Sequence, residues 1–280
     1  MKTIFWLSPF VIMFFHTVNA QNEIKLLVRA DDIGSSHNAN LACIESYKNG
    51  IVKSVEIMVP CSWFPEAVKL LNENPGLDVG VHLVLTSEWD NYKWRPLTNA
   101  ASITDPDGYF FPMVWPNTNY GENRTLVHSK WDIAEVEKEL RAQIELAMKK
   151  IPQISHLSSH MGWTSVSPEF KALYEKLAKE YNLEVDLSDI QSTGKYYQNE
   201  PGLSPVQNFV AMIEKLEPGT YLYVEHPGLD VPEAQAIYHT GYENVATERQ
   251  TVTDIFTSQD VKNAISKKNI RLISYNDLKK

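Results

Sequence analysis

Short apolar runs alternate with amphipathic stretches along most of the chain. Runs rich in Val, Ile and Leu predict buried strands, and apolar residues at three- and four-residue steps predict helices. The clearest helix covers residues 132–151, where Val136, Leu140, Ile144 and Ala147 fall on one face. The predicted strands are 24–29, 53–59, 79–85, 153–157, 183–187, 220–225 and 270–274, and the predicted helices are 38–49, 65–74, 132–151, 168–181, 206–216 and 259–268.

The order of these elements predicts the fold class. Strands that alternate with helices imply a parallel sheet with helices packed outside it. Seven strands fit an incomplete barrel better than an open doubly wound sheet, and one such domain can hold about 260 residues. We therefore expect an α/β fold, a distorted seven-stranded TIM-like (β/α) barrel, in a single domain over residues 21–280.

The first twenty residues resemble a targeting segment rather than part of the fold. Lys2 precedes an apolar run from Ile4 to Phe15, and Val18-Asn19-Ala20 ends in a small residue. This pattern predicts a signal peptide over residues 1–20, cleaved near Ala20, and a secreted or periplasmic protein. The run is shorter than the roughly 20 residues of a membrane-spanning helix, so we expect no stable membrane insertion, although an uncleaved N-terminal anchor is the alternative.

Charge and cysteine content narrow the possible partners. The formal net charge is −9, and no basic stripe is present, so nucleic acid is not an expected partner. The sequence has no GxGxxG or GxxxxGK[ST] motif for nucleotide phosphates. Cys43 and Cys61 do not form a metal-binding pattern, and we favour two buried thiols while a disulfide stays open.

One connection, over residues 86–130, is unusually long and rich in aromatic residues. Long connections in compact domains are commonly functional, and aromatic faces suit the C–H faces of sugar rings. Trp89, Trp94 and Trp115 are therefore candidate sugar-binding residues. Equally, such aromatics can pack a satellite core beneath the loop.

Titratable residues stand where four predicted strands end. Parallel barrels place their active sites at these ends. Asp31 and Asp32 follow the first strand, and His82, His160 and His226 lie at the ends of three others. Each residue, taken alone, could also have a purely structural role, because an aspartate can cap a helix and a histidine can be packed in the core. Together, one Asp and two His side chains are suitable ligands for a divalent ion, with an Asp and a His left as base and acid.

The chain also resembles the YdjC-like (ChbG/HpnK-type) carbohydrate deacetylases over nearly all of its length from about residue 25. The matching elements are Ala30-Asp31-Asp32-Ile33-Gly34, Ser54 to Pro60 with Glu66-Ala67, Gly80 to Thr86, Asp107 to Phe110, Glu139 to Ile144, His226-Pro227-Gly228 and Ile270 to Leu278.

This resemblance implies a residue-by-residue assignment. Asp32, His82 and His160 would bind one divalent metal, Asp31 would be the general base and His226 a general acid. The family pattern Asp-x-His-x-His is not complete here, because Ser158 replaces the Asp and Gly162 the second His. Those two positions could have oriented a ligand or touched substrate. Arg249 is a further candidate near the mouth of the site.

The expected function is therefore metal-dependent removal of the acetyl group from an N-acetylated sugar. Zinc or magnesium is the expected ion, although manganese and cobalt also suit these ligands. The expected partner is an acetylated oligosaccharide or glycan. Two alternatives remain: another metal-dependent hydrolase, such as a phosphoesterase, and a sugar-binding protein that has lost catalysis.

Overall fold

The computed structural model describes residues 23–195 and 199–279, and shows an α/β fold built on one parallel sheet. The signal peptide predicted over residues 1–20 lies outside these residues. The strands are β1 Ile24–Ile33, β2 Ser54–Ile57, β3 Asp78–Leu83, β4 Ile154–Ser159, β5 Ile190–Ser192, β6 Gly219–Glu225 and β7 Arg271–Ile273. The helices are α1 His37–Lys48, α2 Phe64–Asn72, α3 Ile133–Lys150, α4 Pro168–Glu180, α5 Pro205–Lys215, α6 Pro232–Gln235, α7 Val245–Thr257 and α8 Gln259–Lys267.

The sheet curls around β1 but does not close. Its order is β4-β3-β2-β1-β6-β5, and β7 also pairs with β1. β1 pairs with three strands. β6 runs along one of its edges, and the other edge is shared, because Lys25 to Leu27 pair with β7 while Arg29 to Ile33 pair with β2. Among the described residues, no ladder joins β4 to β5. The prediction of a parallel α/β sheet is confirmed, but the sheet is an open half-barrel rather than a closed one.

The fifth predicted strand, over residues 183–187, is wrong. The structure places β5 later, at Ile190–Ser192. Leu183 and Val185 pack inward against apolar clusters, whereas Leu187 is 44% exposed. Its buried and exposed side chains therefore alternate as in a strand, because the segment lies over the core. Its backbone, however, forms no ladder with a neighbouring strand. Helices α6 and α7 were not predicted, and α7 has few apolar residues.

The two faces of the sheet differ in polarity. Side chains at positions i and i+2 of a strand share a face. Val55, Ile57, Val79, Val81 and Leu83 are buried on one face and belong to the main hydrophobic cluster. The opposite, concave face carries a connected polar set: Arg29, Asp31, Glu56, His82, His156 and Ser158.

Gly80 makes room for this polar set. It pairs with Glu56 on one side and with His156 on the other. A Cβ on Gly80 would overlap the Glu56 carboxylate and lie 2.7 Å from His156 Cε1. The two buried side chains can therefore meet only over a glycine.

We expect Gly80→Ala to lower the free energy of unfolding by about 1–3 kcal/mol, the usual cost of overpacking a well-packed interior. Urea denaturation of the metal-free protein measures this change. Gly121→Ala is the control, because its Cβ would come no closer than 3.4 Å to Asn123 Oδ1 in an exposed loop. Equal stability of the two variants would contradict this account of Gly80.

One smaller expectation is resolved by the fold. Cys43 and Cys61 are both free and buried, as favoured from the sequence. Of the helices in the described part of the chain, none has the length and apolar character needed to cross a membrane.

Candidate metal centre

A bulge at the end of β1 brings two consecutive carboxylates into the same site. In a regular strand, Asp31 and Asp32 would point to opposite faces. Here the register with β2 shifts between Ala30 and Ile33, and Asp32 adopts a left-handed conformation with φ 73°. Bulges of this kind re-aim side chains next to active sites. As a result, Asp31 Oδ2 and Asp32 Oδ1 each lie 3.8 Å from His82 Nε2.

The turn that follows holds this arrangement in place. Gly34 has φ 96°, and a Cβ there would lie 2.9 Å from the carbonyl oxygen of Met58. Its backbone N–H donates to Asn40 Oδ1 at 2.6 Å. Ser36 then caps α1 by accepting a hydrogen bond from the Ala39 N–H. Glycine is required because the turn combines positive φ with close backbone packing.

Three of the predicted side chains converge at the strand ends. Asp32, His82 and His160 are all buried, and one potential ligand atom from each lies within 4.8 Å of the other two. His160 Nδ1 is 3.6 Å from Asp32 Oδ1. The two imidazole rings meet edge to face, with centroids 5.1 Å apart.

The Asp32 carboxylate has one oxygen paired and one free. Oδ2 accepts a hydrogen bond from Arg249 at 2.8 Å, whereas Oδ1 has no hydrogen-bond partner among the described residues. Burial alone would raise the pKa of Asp32, but Arg249 and the three nearby imidazoles, His226, His160 and His82, outweigh it and hold that pKa far below its ordinary value. An ionised, partly unpaired carboxylate oxygen between two imidazole nitrogens fits a divalent cation.

Each histidine has a second partner on its other nitrogen. His82 Nδ1 lies 2.7 Å from Ser158 Oγ, and His160 Nε2 lies 3.0 Å from Glu88 Oε2. Burial lowers the pKa of His82 to about 4, so its imidazole is neutral at neutral pH. Burial would also lower the pKa of His160, but the Glu88 and Asp32 carboxylates raise it to about 9. Partners of this type fix the ring orientation of metal-binding histidines.

Asp31 is oriented by an ion pair with Arg29. Arg29 Nη2 donates to Asp31 Oδ2 at 2.8 Å, and Nε lies 2.7 Å from Oδ1 as a charge contact without hydrogen-bond geometry. Arg29 is also anchored by Tyr275, whose hydroxyl accepts from Nη1 at 3.1 Å. The carboxylate is therefore fixed beside His82 without being one of the three clustered groups.

His226 lines the wall of an open cavity of about 690 Å³. The cavity reaches Asp32, His160 and Glu88, and His226 is 39% exposed in its wall. Partial burial lowers the pKa of His226, but the Asp32 carboxylate and neighbouring Glu225 outweigh it, so the pKa is raised above its ordinary value. The imidazole can thus hold a proton while facing the cavity.

The predicted aromatic residues occupy three different environments. Trp89 lines the cavity, stacks on His239 at 5.5 Å and lies 5.3 Å from the Arg249 guanidinium. Trp94 is 3% exposed, and its indole N–H donates to the Thr86 carbonyl, so it packs behind the site. Trp115 is 43% exposed and lies beside Gly162.

Several site residues were not identified from the sequence. Glu88 follows β3 in the long connection, and His239 and Tyr242 come from the segment before α7. No local signal separates these residues from ordinary loop residues. Glu56 did carry a signal, because it is a lone charge within a buried apolar strand.

Comparisons with known proteins identify the family of the chain. The family model described as YdjC-like protein matches residues 25–267. A carbohydrate deacetylase from Listeria monocytogenes serotype 4a (strain HCC23) is 31% identical over 91% of this chain and all of the relative. One from Listeria innocua serovar 6a, named carbohydrate deacetylase 1, is 30% identical over the same shares.

A solved structure shares the fold. It is described as a cellobiose-phosphate cleavage protein from Enterococcus faecalis V583, and it superposes with a TM-score of 0.70 at 23% identity, over 92% of this chain and all of the other. The family match over most of the sequence, together with the Listeria relatives, shows that the chain belongs to the YdjC-like protein family.

Proposed function

We propose that this protein is a metal-dependent carbohydrate deacetylase that hydrolyses the acetyl group of an N-acetylated sugar and releases acetate. The observation that carries the proposal is the unpartnered Asp32 oxygen, which lies between His82 and His160 and borders a cavity of sugar size. The names of the Listeria relatives support the same reaction.

Asp32, His82 and His160 would hold one divalent ion, zinc or magnesium. When bound, such an ion supplies Lewis-acid polarisation of a carbonyl and lowers the pKa of water. Asp31, fixed by Arg29, takes a proton from the attacking water as general base. His226, across the cavity, gives a proton to the departing sugar amine.

The walls of the cavity favour a neutral substrate. Glu88, Glu225 and Glu248 line it, while its arginine, Arg249, is already paired with Asp32. A phosphate group would meet three carboxylates, against which the cavity sets the imidazole of His226 beside Glu225, so the lining disfavours a phosphoesterase. A neutral acetylated sugar avoids this repulsion. Trp89 borders the cavity but is 4% exposed and stacked on His239, so only its exposed edge would touch the sugar, whereas exposed Trp115 would contact a more distant ring.

A sugar-binding protein without activity would not need a general base or a general acid beside the metal ligands. Asp31 and His226 flank the three clustered ligands as a base and an acid would, and neither belongs to that cluster. We therefore favour an enzyme over a non-catalytic sugar-binding relative. We further propose that it acts outside the cytoplasm, after cleavage near Ala20, which N-terminal sequencing of the exported protein tests.

The proposal is tested by acetate release from N-acetylglucosamine oligosaccharides. The purified protein should release acetate, and EDTA should stop the release. O-acetylated xylan and a sugar phosphate serve as comparison substrates. Release of phosphate without acetate would replace the proposal with a phosphoesterase, and binding of the oligosaccharide without any product would replace it with a binding protein.

His226→Gln should lower kcat by roughly 10²- to 10⁴-fold, the usual contribution of a general acid. Because the pKa of His226 is raised above its ordinary value, the imidazole keeps its proton to higher pH than an unperturbed histidine, and the wild-type rate should fall as pH rises through that pKa. In the variant this alkaline fall should disappear. A pH profile of kcat measures it, and His128→Gln, with a side chain 40% exposed in a loop, is the matched control. An unchanged alkaline fall would remove His226 as the acid.

A further inference from the structure

Ser158 carries no charge of its own, yet a carboxylate from another strand reaches it. Ser158 on β4 is paired in register with His82 on β3. Its hydroxyl is hydrogen-bonded to Glu56 Oε2, although Glu56 belongs to β2, on the far side of β3. The carboxylate is therefore supplied from another strand.

Gly80 is what allows Glu56 to cross β3. Glu56, Gly80 and His156 form one row across the three strands. Since Gly80 has no side chain, the Glu56 carboxylate extends over it and meets His156 Nε2 at 2.6 Å as well as Ser158. Glu56 is completely buried, and His156 is itself stacked on Tyr275 with ring centroids 3.9 Å apart. The carboxylate is thus held rigidly.

The order of these groups fixes where the protons lie. An ionised carboxylate accepts hydrogen bonds only, so the Ser158 O–H donates to Glu56. The Ser158 oxygen must then accept the Nδ1–H of His82, which lies 2.7 Å away. With its proton on Nδ1, His82 presents the lone pair of Nε2 to Asp31 and Asp32.

We propose that Glu56, acting through Ser158, is the positioning residue of the metal ligand His82, and that the Glu56–Ser158 pair does the work of the single acid expected at position 158. This inference rests on the proposed metal centre. It differs from a purely structural role because the carboxylate sets which nitrogen of His82 is free to bind the ion. Partners of this kind contribute 10- to 100-fold to metal affinity.

The first test is Co²⁺ binding to the metal-free protein, followed by the visible spectrum and by calorimetry. Ser158→Ala breaks the relay, the chain of hydrogen bonds from Glu56 through Ser158 to His82, but leaves Glu56 paired with His156. The metal-free variant should therefore still fold cooperatively, with a lower melting temperature because the buried His82 N–H is left without its acceptor. We expect its Co²⁺ affinity to fall by roughly 10- to 100-fold. Ser159→Ala, at the neighbouring position, is the matched control. Wild-type affinity in Ser158→Ala would overturn the relay.

The second test moves the carboxylate from position 56 to position 158. Ser158→Asp alone places two carboxylates side by side in a buried site, so it should bind Co²⁺ poorly or fold poorly. The double variant Glu56→Ser with Ser158→Asp exchanges the two groups and should recover affinity to within about tenfold of wild type. A double variant no better than Ser158→Asp would contradict the proposal, since a simple structural role predicts no rescue.

The third test needs no metal. ¹⁵N NMR of the histidine side chains in the metal-free protein, with His82 assigned from a His82→Gln variant, should show a proton on Nδ1 of His82, and this preference should be lost in Ser158→Ala. A proton on Nε2 in the wild type would overturn the relay directly. The expected tautomer in a protein that binds no Co²⁺ would instead overturn the proposed metal centre.

Discussion

An Asp31→Asn variant is expected to lose kcat by roughly 10²- to 10⁴-fold while binding the metal as tightly as wild type. The amide keeps the size of the carboxylate and can still accept a hydrogen bond from Arg29, but it cannot take a proton from water. Asp31 lies beside the three clustered ligands without belonging to them. Acetate release, measured together with metal content, separates these two effects.

Asp260→Asn is the control for this experiment, because Asp260 is exposed in the first turn of α8. It should leave both quantities unchanged. Asp31→Asn at the wild-type rate would remove Asp31 as the base. Loss of metal together with activity would instead make Asp31 a ligand.

An Asp32→Asn variant is expected to lose the metal itself. The ionised Asp32 oxygen is the anionic member of the cluster, and an amide oxygen binds a divalent cation far more weakly. Loss of Lewis-acid stabilisation worth several kcal/mol corresponds to a fall in kcat/KM of about 10³-fold or more. Elemental analysis of the dialysed variant and its rate at saturating metal measure the two effects.

The same change also disturbs Arg249, which donates to Asp32 from a buried position. The metal-free variant should therefore unfold at lower temperature than metal-free wild type, because a buried guanidinium loses its anionic partner. One ion per chain retained by Asp32→Asn after dialysis would contradict the assignment of Asp32 as a ligand.

The clustered residues were predictable because each one ends a strand. Asp31 and Asp32, His82 and His160 follow recognisable apolar runs, and parallel strands bring their carboxyl ends to one edge. How two adjacent carboxylates share a site was not predictable. It depends on the bulge and on the positive φ of Asp32, which arise from the pairing of β1 with β2.

The features that escaped prediction depend on contacts between distant segments. The incomplete barrel was predicted, but the pairing of β7 with β1 and the place of β5 were not, because neither leaves a local pattern. Glu56 was not singled out, although it is a charge in an apolar strand, and its link to Ser158 requires Gly80 and the register of three strands. Glu88 reaches His160 from the long connection, whose path is set by tertiary packing.

The most direct test of the central claim is reconstitution of metal-free protein with measured amounts of Zn²⁺, Mn²⁺ or Co²⁺, while acetate release from an N-acetylglucosamine oligosaccharide is followed. The account predicts almost no release without metal, and release that rises in proportion to bound ion and reaches its maximum at one ion per chain. Acetate release at full rate from protein shown to contain no metal would contradict it.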